Sequence, residues 1–328
     1  MKKVLAWAQR QAKAHHAGEP QEGRDPKRSI RVRRFAGPLA HVDEIAHLRV
    51  AHLTDLHVGR VTPMQVQQAA VALANAENPD LVVITGDFVC HSQVYLSNLR
   101  EVIRGFRAPV VCVLGNHDHW SGAKEVRDAL AKEGACVLSN QNTVVTLRNQ
   151  RLQIVGLDDA YTGNAFRGQA VKGLRRDLPS LGLSHIAEEA DGLWEHGIPL
   201  VLSGHTHAGQ VTLAGLHELL IGKVGGHKYV HGLYGSRGQA AHGDPKGAVY
   251  VGAGIGAAVV PLRLGERGMR EVTIFELGHR IEEVVESLEQ QTPLRGRKPS
   301  ERLQWKRAEV SEKLRLKREQ KVKGQERE

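Results

Sequence analysis

Five strand-length apolar runs in this chain each end in a polar turn built from His, Asp or Asn, and that repeated junction constrains the fold most. Leu48–Leu53 runs into Thr54-Asp55-Leu56-His57, and Leu81–Ile84 into Thr85-Gly86-Asp87. Val110–Leu114 is followed by Gly115-Asn116-His117-Asp118, Leu181–Ser184 by His185, and Leu200–Leu202 by Ser203-Gly204-His205-Thr206-His207. Another run, Gln153–Leu157, ends in Asp158-Asp159. Helical stretches over about 63–77, 93–105 and 123–133 separate the first runs. Strands alternating with helices imply a layered α/β fold with a largely buried sheet. Ligands gather at the C-terminal strand edge of such sheets, so the junction residues are expected to converge. Gly86, Gly115 and Gly204 let the backbone turn sharply and approach a bound ion closely.

The junction side chains form a donor set. Imidazole, carboxylate and amide oxygen suit Mn²⁺, Fe or Zn²⁺ better than a thiolate-based structural zinc site. Asp55, His57, Asp87, Asn116, His185, His205 and His207 are too many for one ion, and would fill two sites if one carboxylate bridges. Two ions ~3.5–4 Å apart can orient and deprotonate a water while clamping phosphoryl oxygens.

Composition narrows the alternatives. The 328 residues are 41% hydrophobic, enough for a packed core, but only 4% aromatic. No run approaches the ~20 apolar residues that span a bilayer. Met1–Ala8 imitates a signal peptide, but its apolar run stops at Gln9-Arg10. Arg33-Arg34-Phe35 resembles a twin-arginine signal, yet Pro38, His41, Asp43 and Glu44 interrupt what would follow, so export is not expected. Three cysteines without CxxC spacing fit a reducing cytoplasm, with core packing expected for Cys112 and Cys136. The net charge of +9 sits in the ends: residues 1–34 carry +7, residues 295–328 another +7, and the body between them −5. An acidic body poor in aromatics is a poor nucleic-acid surface, whereas the basic ends suit an anionic membrane surface.

Along the chain, residues 1–45 read as a basic leader with a short helix over 3–14, residues 46–290 as the folded domain, and residues 291–328 as a charged tail. Leu303, Val310 and Leu314 would share one helical face of that tail. After Gly204 the chain turns Gly-rich, then continues in strands without helices, Ala248–Val251, Val259–Leu264 and Val272–Leu277, expected to form a second sheet on the first. Gly252-x-Gly254-x-Gly256 follows a strand but precedes Pro261 and another strand, so it is not a dinucleotide loop.

Taken in order over about residues 48–277, D-x-H, GD, GNHD, an isolated His and GHTH resemble the calcineurin-like metallophosphoesterase superfamily. The resemblance implies a four-layer α/β/β/α sandwich of two mixed sheets and hydrolysis of a phosphodiester or pyrophosphate through in-line attack by a metal-bound hydroxide. It further implies that Asp55, His57 and His207 bind one metal, that Asn116, His185 and His205 bind the second, and that Asp87 bridges both. His117 would stabilise charge or protonate the leaving oxygen, with Asp118 orienting its ring.

A narrower resemblance is to the YkuE/YaeI-like branch of bacterial phosphodiesterases. It rests on His205-Thr206-His207-Ala208-Gly209-Gln210, Tyr229, Gly232-Leu233-Tyr234, Val251–Gly256 and Pro261-Leu262-Arg263. Ala208 stands where that branch has Gly, and Met269-Arg270-Glu271 where it has Arg-Pro-Glu. Relatives that act on lipid-linked pyrophosphates point to a phosphate-ester substrate near the inner face of a membrane. A scaffold that has lost its chemistry is the competing reading, and the filled set of ligand positions opposes it.

Other polar residues have blander readings. His15, His16, His41, His47 and His52 read as surface or satisfied core, and Asp158 and Asp159 as structural. His91 and His119 are candidates for lining the pocket, and one of His217, His227, His231 and His242 for a substrate contact. Arg263 reads either as a phosphate contact or as a strand-end surface charge.

Overall fold

Leu81–Thr85, Val110–Val113, Ser180–Leu183, Leu200–Ser203 and Ala248–Val251 are strands buried at every position, so each sheet has two faces to cover. In the computed structural model, residues 25–90, 92–209, 226–235, 247–257, 263, 268–280 and 293 are described. The helix expected over 3–14, His15, His16, His91, Gln210, His217, His242, the strand expected over 259–264 apart from Arg263, and the face of Leu303, Val310 and Leu314 lie outside the described residues.

The described elements are β1 (Ile30–Ala36), β2 (Leu48–Leu53), α1 (Met64–Ala76), β3 (Leu81–Thr85), α2 (Leu96–Arg104), β4 (Val110–Val113), α3 (Asn116–Lys132), β5 (Cys136–Leu138), β6 (Gln141–Leu147), β7 (Gln150–Gly156), α4 (Arg167–Ala170), β8 (Ser180–Leu183), α5 (Ala190–Trp194), β9 (Leu200–Ser203), β10 (Gly232–Gly235), β11 (Ala248–Val251) and β12 (Arg270–Leu277). One sheet runs β1-β12-β2-β3-β4-β5 and the other β10-β11-β9-β8-β7-β6. Both are mixed: β12 is antiparallel to β2 in the first, and β10–β11 and β6–β7 are antiparallel in the second.

Period-two side-chain alternation sorts the strand residues into layers. Leu48, Val50, Leu81, Val83, Val111 and Val113 meet Leu181, Leu183, Leu200 and Leu202 of the other sheet in one core cluster. Their neighbours Ala51, Leu53, Val82, Ile84 and Cys112 face the other way, against Ala70, Ala74, Leu99, Val102 and Leu130 of α1, α2 and α3. On the far side of the second sheet, Val155, Val201 and Val249 pack with Ala190, Leu193 and Trp194. The fold is the four-layer α/β/β/α sandwich.

Three expectations need correction. The stretch assigned to a leader contains β1, which pairs in parallel with β12 from Ile30↔Arg270 to Ala36↔Glu276. Its Arg-rich sequence hides this, because Phe35 is fully buried and stacks near Tyr250 and Phe275. Arg33 is also buried, bonded to Glu271, whose carboxylate also takes the Tyr250 hydroxyl and the Ala253 N–H. The second sheet is assembled differently as well: β7, β8 and β9 belong to it, while β12 crosses back into the first. Cys136 is exposed rather than in the core, and none of the three cysteines is in a disulfide. Among the described residues, no helix is long and apolar enough to cross a membrane.

If β1 is part of the fold rather than a leader, Phe35→Ala should cost about 3–5 kcal/mol, the range for emptying a buried aromatic site. Urea unfolding measures it, and a loss well under 1 kcal/mol would contradict the assignment.

Candidate metal centre

Parallel register brings the ends of β2, β3 and β4 level, with Leu53 opposite Ile84 and Thr85 opposite Val113. The turns beyond them are then stitched together and to the second sheet. Asp55 N–H donates to Gly86 O at 3.0 Å and His57 N–H to Asp87 O at 2.9 Å, while Gly204 N–H donates to His185 O at 3.1 Å. His205 N–H crosses between the sheets to Asp55 Oδ2 at 3.0 Å.

These turns force unusual backbone. Asp55, His57, Asp87, His205 and His207 all have positive φ, between 44° and 74°. Left-handed non-glycine residues cost on the order of 1–3 kcal/mol each and persist only where their surroundings hold them. The strain is concentrated on five of the seven donors expected from the sequence.

The side chains converge as two clusters that share one carboxylate. Asp55, His57, Asp87 and His207 form the first, and Asp87, His185 and His205 the second. Asp87 Oδ2 lies 3.5 Å from His57 Nε2 and 3.4 Å from His185 Nε2. His57 Nε2 and His207 Nε2 are 3.0 Å apart, and His207 Nε2 is 3.4 Å from Asp55 Oδ1. Asn116, first residue of α3, presents Oδ1 at 3.2 Å from His185 Nε2. His185 Nδ1 donates to Thr85 O at 2.7 Å, which turns Nε2 toward the cluster. All seven expected donors are therefore in one place.

The electrostatics fit a cation. Burial is the largest influence on His57, His205 and His207 and holds all three imidazoles below their ordinary value, leaving lone pairs available. Burial opposes protonation of His185 too, but the Asp87 carboxylate overrides it and raises His185 well above the usual range. Burial likewise works against the Asp87 carboxylate, which the charges of His185 and His117 nonetheless hold well below the usual range. His57 Nδ1, His207 Nδ1 and Asp55 Oδ1 are buried with no hydrogen-bond partner among the described residues. Imidazole nitrogens crowded at 3.0 Å against buried carboxylates form a donor set that a divalent ion satisfies.

His117 stands at the open side, with Nε2 3.9 Å from Asp87 Oδ2 and its backbone N–H on Asp87 Oδ1 at 2.8 Å. Asp118, expected to orient that ring, accepts backbone N–H groups instead: Phe88 at 2.8 Å and Val89 at 3.2 Å on Oδ1, and Gly115 at 2.9 Å on Oδ2. It locks the Asp87 loop to the start of α3. Burial, and after it the charge of Asp87, pushes the Asp118 carboxyl up to about 7. Arg263 fits neither of its expected readings, since it donates to the carbonyls of Ala253 (2.8 Å), Gly268 (3.1 Å) and Gly256 (2.6 Å).

Several residues around the site carried no sequence signal, or one read otherwise. The Gly252–Gly256 run backs the first turn: Ile255 N–H donates to Thr54 O at 3.1 Å and Gly256 N–H to Asp55 O at 2.7 Å. A Cβ on Gly254 would stand 2.8 Å from Asp55 Cβ, so the alternating glycines mark a close backbone approach. Trp120 lies 4.9 Å from the His117 ring, and Tyr161 5.2 Å from His205. Of the loop histidines, His227 lies 5.2 Å from His205, whereas His231 is buried against Glu271. His119 is held by Asp158 at 2.6 Å, Asp159 accepts Thr162 N–H at 2.7 Å, and His41 and His52 are buried and bonded.

Comparison with known proteins gives a consistent picture. A family model described as calcineurin-like phosphoesterase matches residues 48–209. The chain is 30% identical to Phosphodiesterase YaeI of Escherichia coli (strain K12) over 243 residues, 72% of this chain and 84% of that protein. It is 27% identical to the uncharacterized metallophosphoesterase YkuE of Bacillus subtilis (strain 168) over 235 residues, 70% of this chain and 78% of that one. It is 25% identical over 214 residues to UDP-2,3-diacylglucosamine pyrophosphatase LpxG of Chlamydia muridarum (strain MoPn / Nigg), 51% of this chain and 65% of that protein.

A methyl at Gly86 tests how tightly the two clusters are built. Its Cβ would lie 2.7 Å from both Gly115 N and His185 Nδ1, at a φ of +87° that disfavours any side chain. Gly86→Ala should lower bound divalent metal per chain along with thermal stability. Unchanged metal content by elemental analysis would show that the clusters tolerate displacement.

Proposed function

The chain belongs to the calcineurin-like phosphoesterase family and is a metal-dependent phosphoric ester hydrolase, and from that premise we propose that it is a phosphodiesterase or pyrophosphatase with a dinuclear centre. Asp55, His57 and His207 hold one divalent cation, Asn116, His185 and His205 the other, and Asp87 is common to both. The observation that carries this reading is Asp87 Oδ2, poised 3.5 Å from His57 Nε2 and 3.4 Å from His185 Nε2. Mn²⁺, Fe and Zn²⁺ all suit these donors.

When bound, such a pair of ions supplies an activated water and Lewis-acid polarisation of the phosphoryl oxygens. The chain's own part is positioning and proton supply. Thr85 O fixes the tautomer of His185, and Thr54 Oγ1 donates to Asp55 Oδ2 at 2.8 Å, holding that carboxylate in place. His117, partly exposed at the mouth, gives a proton to the leaving oxygen. Asp118 acts through the backbone it binds, keeping the His117 turn against the Asp87 loop. Similarity to a phosphodiesterase and to a UDP-2,3-diacylglucosamine pyrophosphatase supports a substrate with two groups on phosphorus, one of them lipid-linked. The basic ends support a location beside an anionic membrane surface.

Two experiments test this. Mn²⁺-dependent hydrolysis of an alkyl phosphodiester, whose alkoxide leaving group needs a proton, should fall by about 10²–10⁴-fold in His117→Ala, the usual worth of a general acid, with metal content retained. Undiminished turnover would remove His117 from the chemistry. Asp87→Asn should weaken both metal sites together, and loss of only one equivalent would contradict the shared carboxylate.

A further inference from the structure

One thiol stands beside the centre and has no part in the function above. A ligand atom from each of Cys90, His57 and His117 lies within 4.8 Å of the other two. Backbone ties on two sides fix this arrangement. Val58 and Val89 form a parallel bridge, Val58 N–H donates to Phe88 O at 2.8 Å, and Cys90 N–H donates to Val58 O at 3.2 Å. Residue 90 is therefore held level with Gly59, two residues along from His57. On the other side, Asp118 takes the N–H groups of Phe88 and Val89, while His117 N–H binds Asp87 Oδ1. A Cβ at position 59 would come within 3.0 Å of Cys90 Cβ, so Gly59 leaves room for the thiol-bearing side chain. His57 is fully buried, and its Nδ1 has no hydrogen-bond partner among the described residues.

We propose that Cys90, His57 and His117 form a binding site for a thiophilic divalent cation, Zn²⁺ or Cd²⁺, whose occupation inhibits the enzyme. One sulfur and two imidazole nitrogens are the donor types such ions select, whereas Mn²⁺ and Mg²⁺ favour oxygen. Bonds of about 2.3 Å to sulfur and 2.0–2.1 Å to nitrogen require the three ligand atoms to draw in from the 4.8 Å that bounds their spacing. On binding, the thiol releases its proton to solvent, and the thiolate and two imidazole lone pairs fill three positions. The site shares His57 with the first cluster and takes the nitrogen of His117 that would otherwise carry the proton for the leaving group. Occupation and turnover are therefore mutually exclusive. Inhibition rests on the functional reading given above; binding does not.

The test uses the full-length Mn²⁺-loaded protein titrated with Cd²⁺, read as near-ultraviolet thiolate-to-cadmium absorption. The band should appear in the native protein and in Cys136→Ser, and be lost in Cys90→Ser. In parallel, Zn²⁺ should inhibit native phosphodiester hydrolysis. Cys90→Ser should keep the basal rate and need more Zn²⁺ by about tenfold or more, the least that losing even an outer partner costs a metal site. A band absent from the native protein, or unchanged in Cys90→Ser, overturns the site. Equal zinc sensitivity of native and Cys90→Ser proteins overturns the inhibitory role. A band that follows Cys90 in a chain with no phosphoesterase activity supports the site while removing the functional reading.

Discussion

Asp87 is a carboxylate buried where two sheets meet, and the surroundings of the site follow from keeping it charged there. Burying an ionised carboxylate without partners costs several kcal/mol or more. Here the partners come from every direction: His57 from the end of β2, His185 from the end of β8, and the backbone N–H of His117 from the start of α3. Each belongs to a different element, so the carboxylate is satisfied only when both sheets and the third helix are in place. Folding and assembly of the site are one event.

The same requirement explains where the backbone is strained. A strand that must stop, reverse and aim a side chain back over its own end has few conformations to choose from. Asp55, His57, Asp87, His205 and His207 adopt the left-handed one. Rigid strands packed on both faces carry that strain, and the Gly252–Gly256 run braces it from behind through the carbonyls of Thr54 and Asp55. Arg263 in turn holds the brace by three backbone carbonyls. What looks in sequence like a phosphate-binding glycine loop with a nearby arginine is scaffolding for the first turn.

Much of this was legible in the chain before folding. Strand runs ending in His, Asp or Asn picked out the seven candidate donors that the structure brings together, because polar side chains at the ends of apolar strands stand out in the sequence. The four-layer sandwich followed from the family resemblance that the motifs carry. The rest was illegible for identifiable reasons. Strand β1 carries Arg at three of its seven positions, and only pairing with β12 reveals that Arg33 and Phe35 face inward. Assignment of strands to sheets depended on a crossover, β12 returning beside β2, that no local pattern encodes. By resemblance Asp118 of the GNHD motif reads as a ring partner, yet it accepts the amides of Gly115 nearby and of Phe88 and Val89 about thirty residues upstream, the latter contacts visible only in three dimensions. Tyr161 reaches His205 through tertiary packing, whereas Trp120 follows His117 by one turn of α3.

The central claim is that two cations share Asp87. The most direct measurement is anomalous scattering from crystals of the Mn²⁺-loaded protein. Two peaks about 3.5–4 Å apart, flanking Asp87, with Asp55, His57 and His207 around one and Asn116, His185 and His205 around the other, are the expected result. A single peak, or a pair of peaks that Asp87 does not bridge, would contradict it.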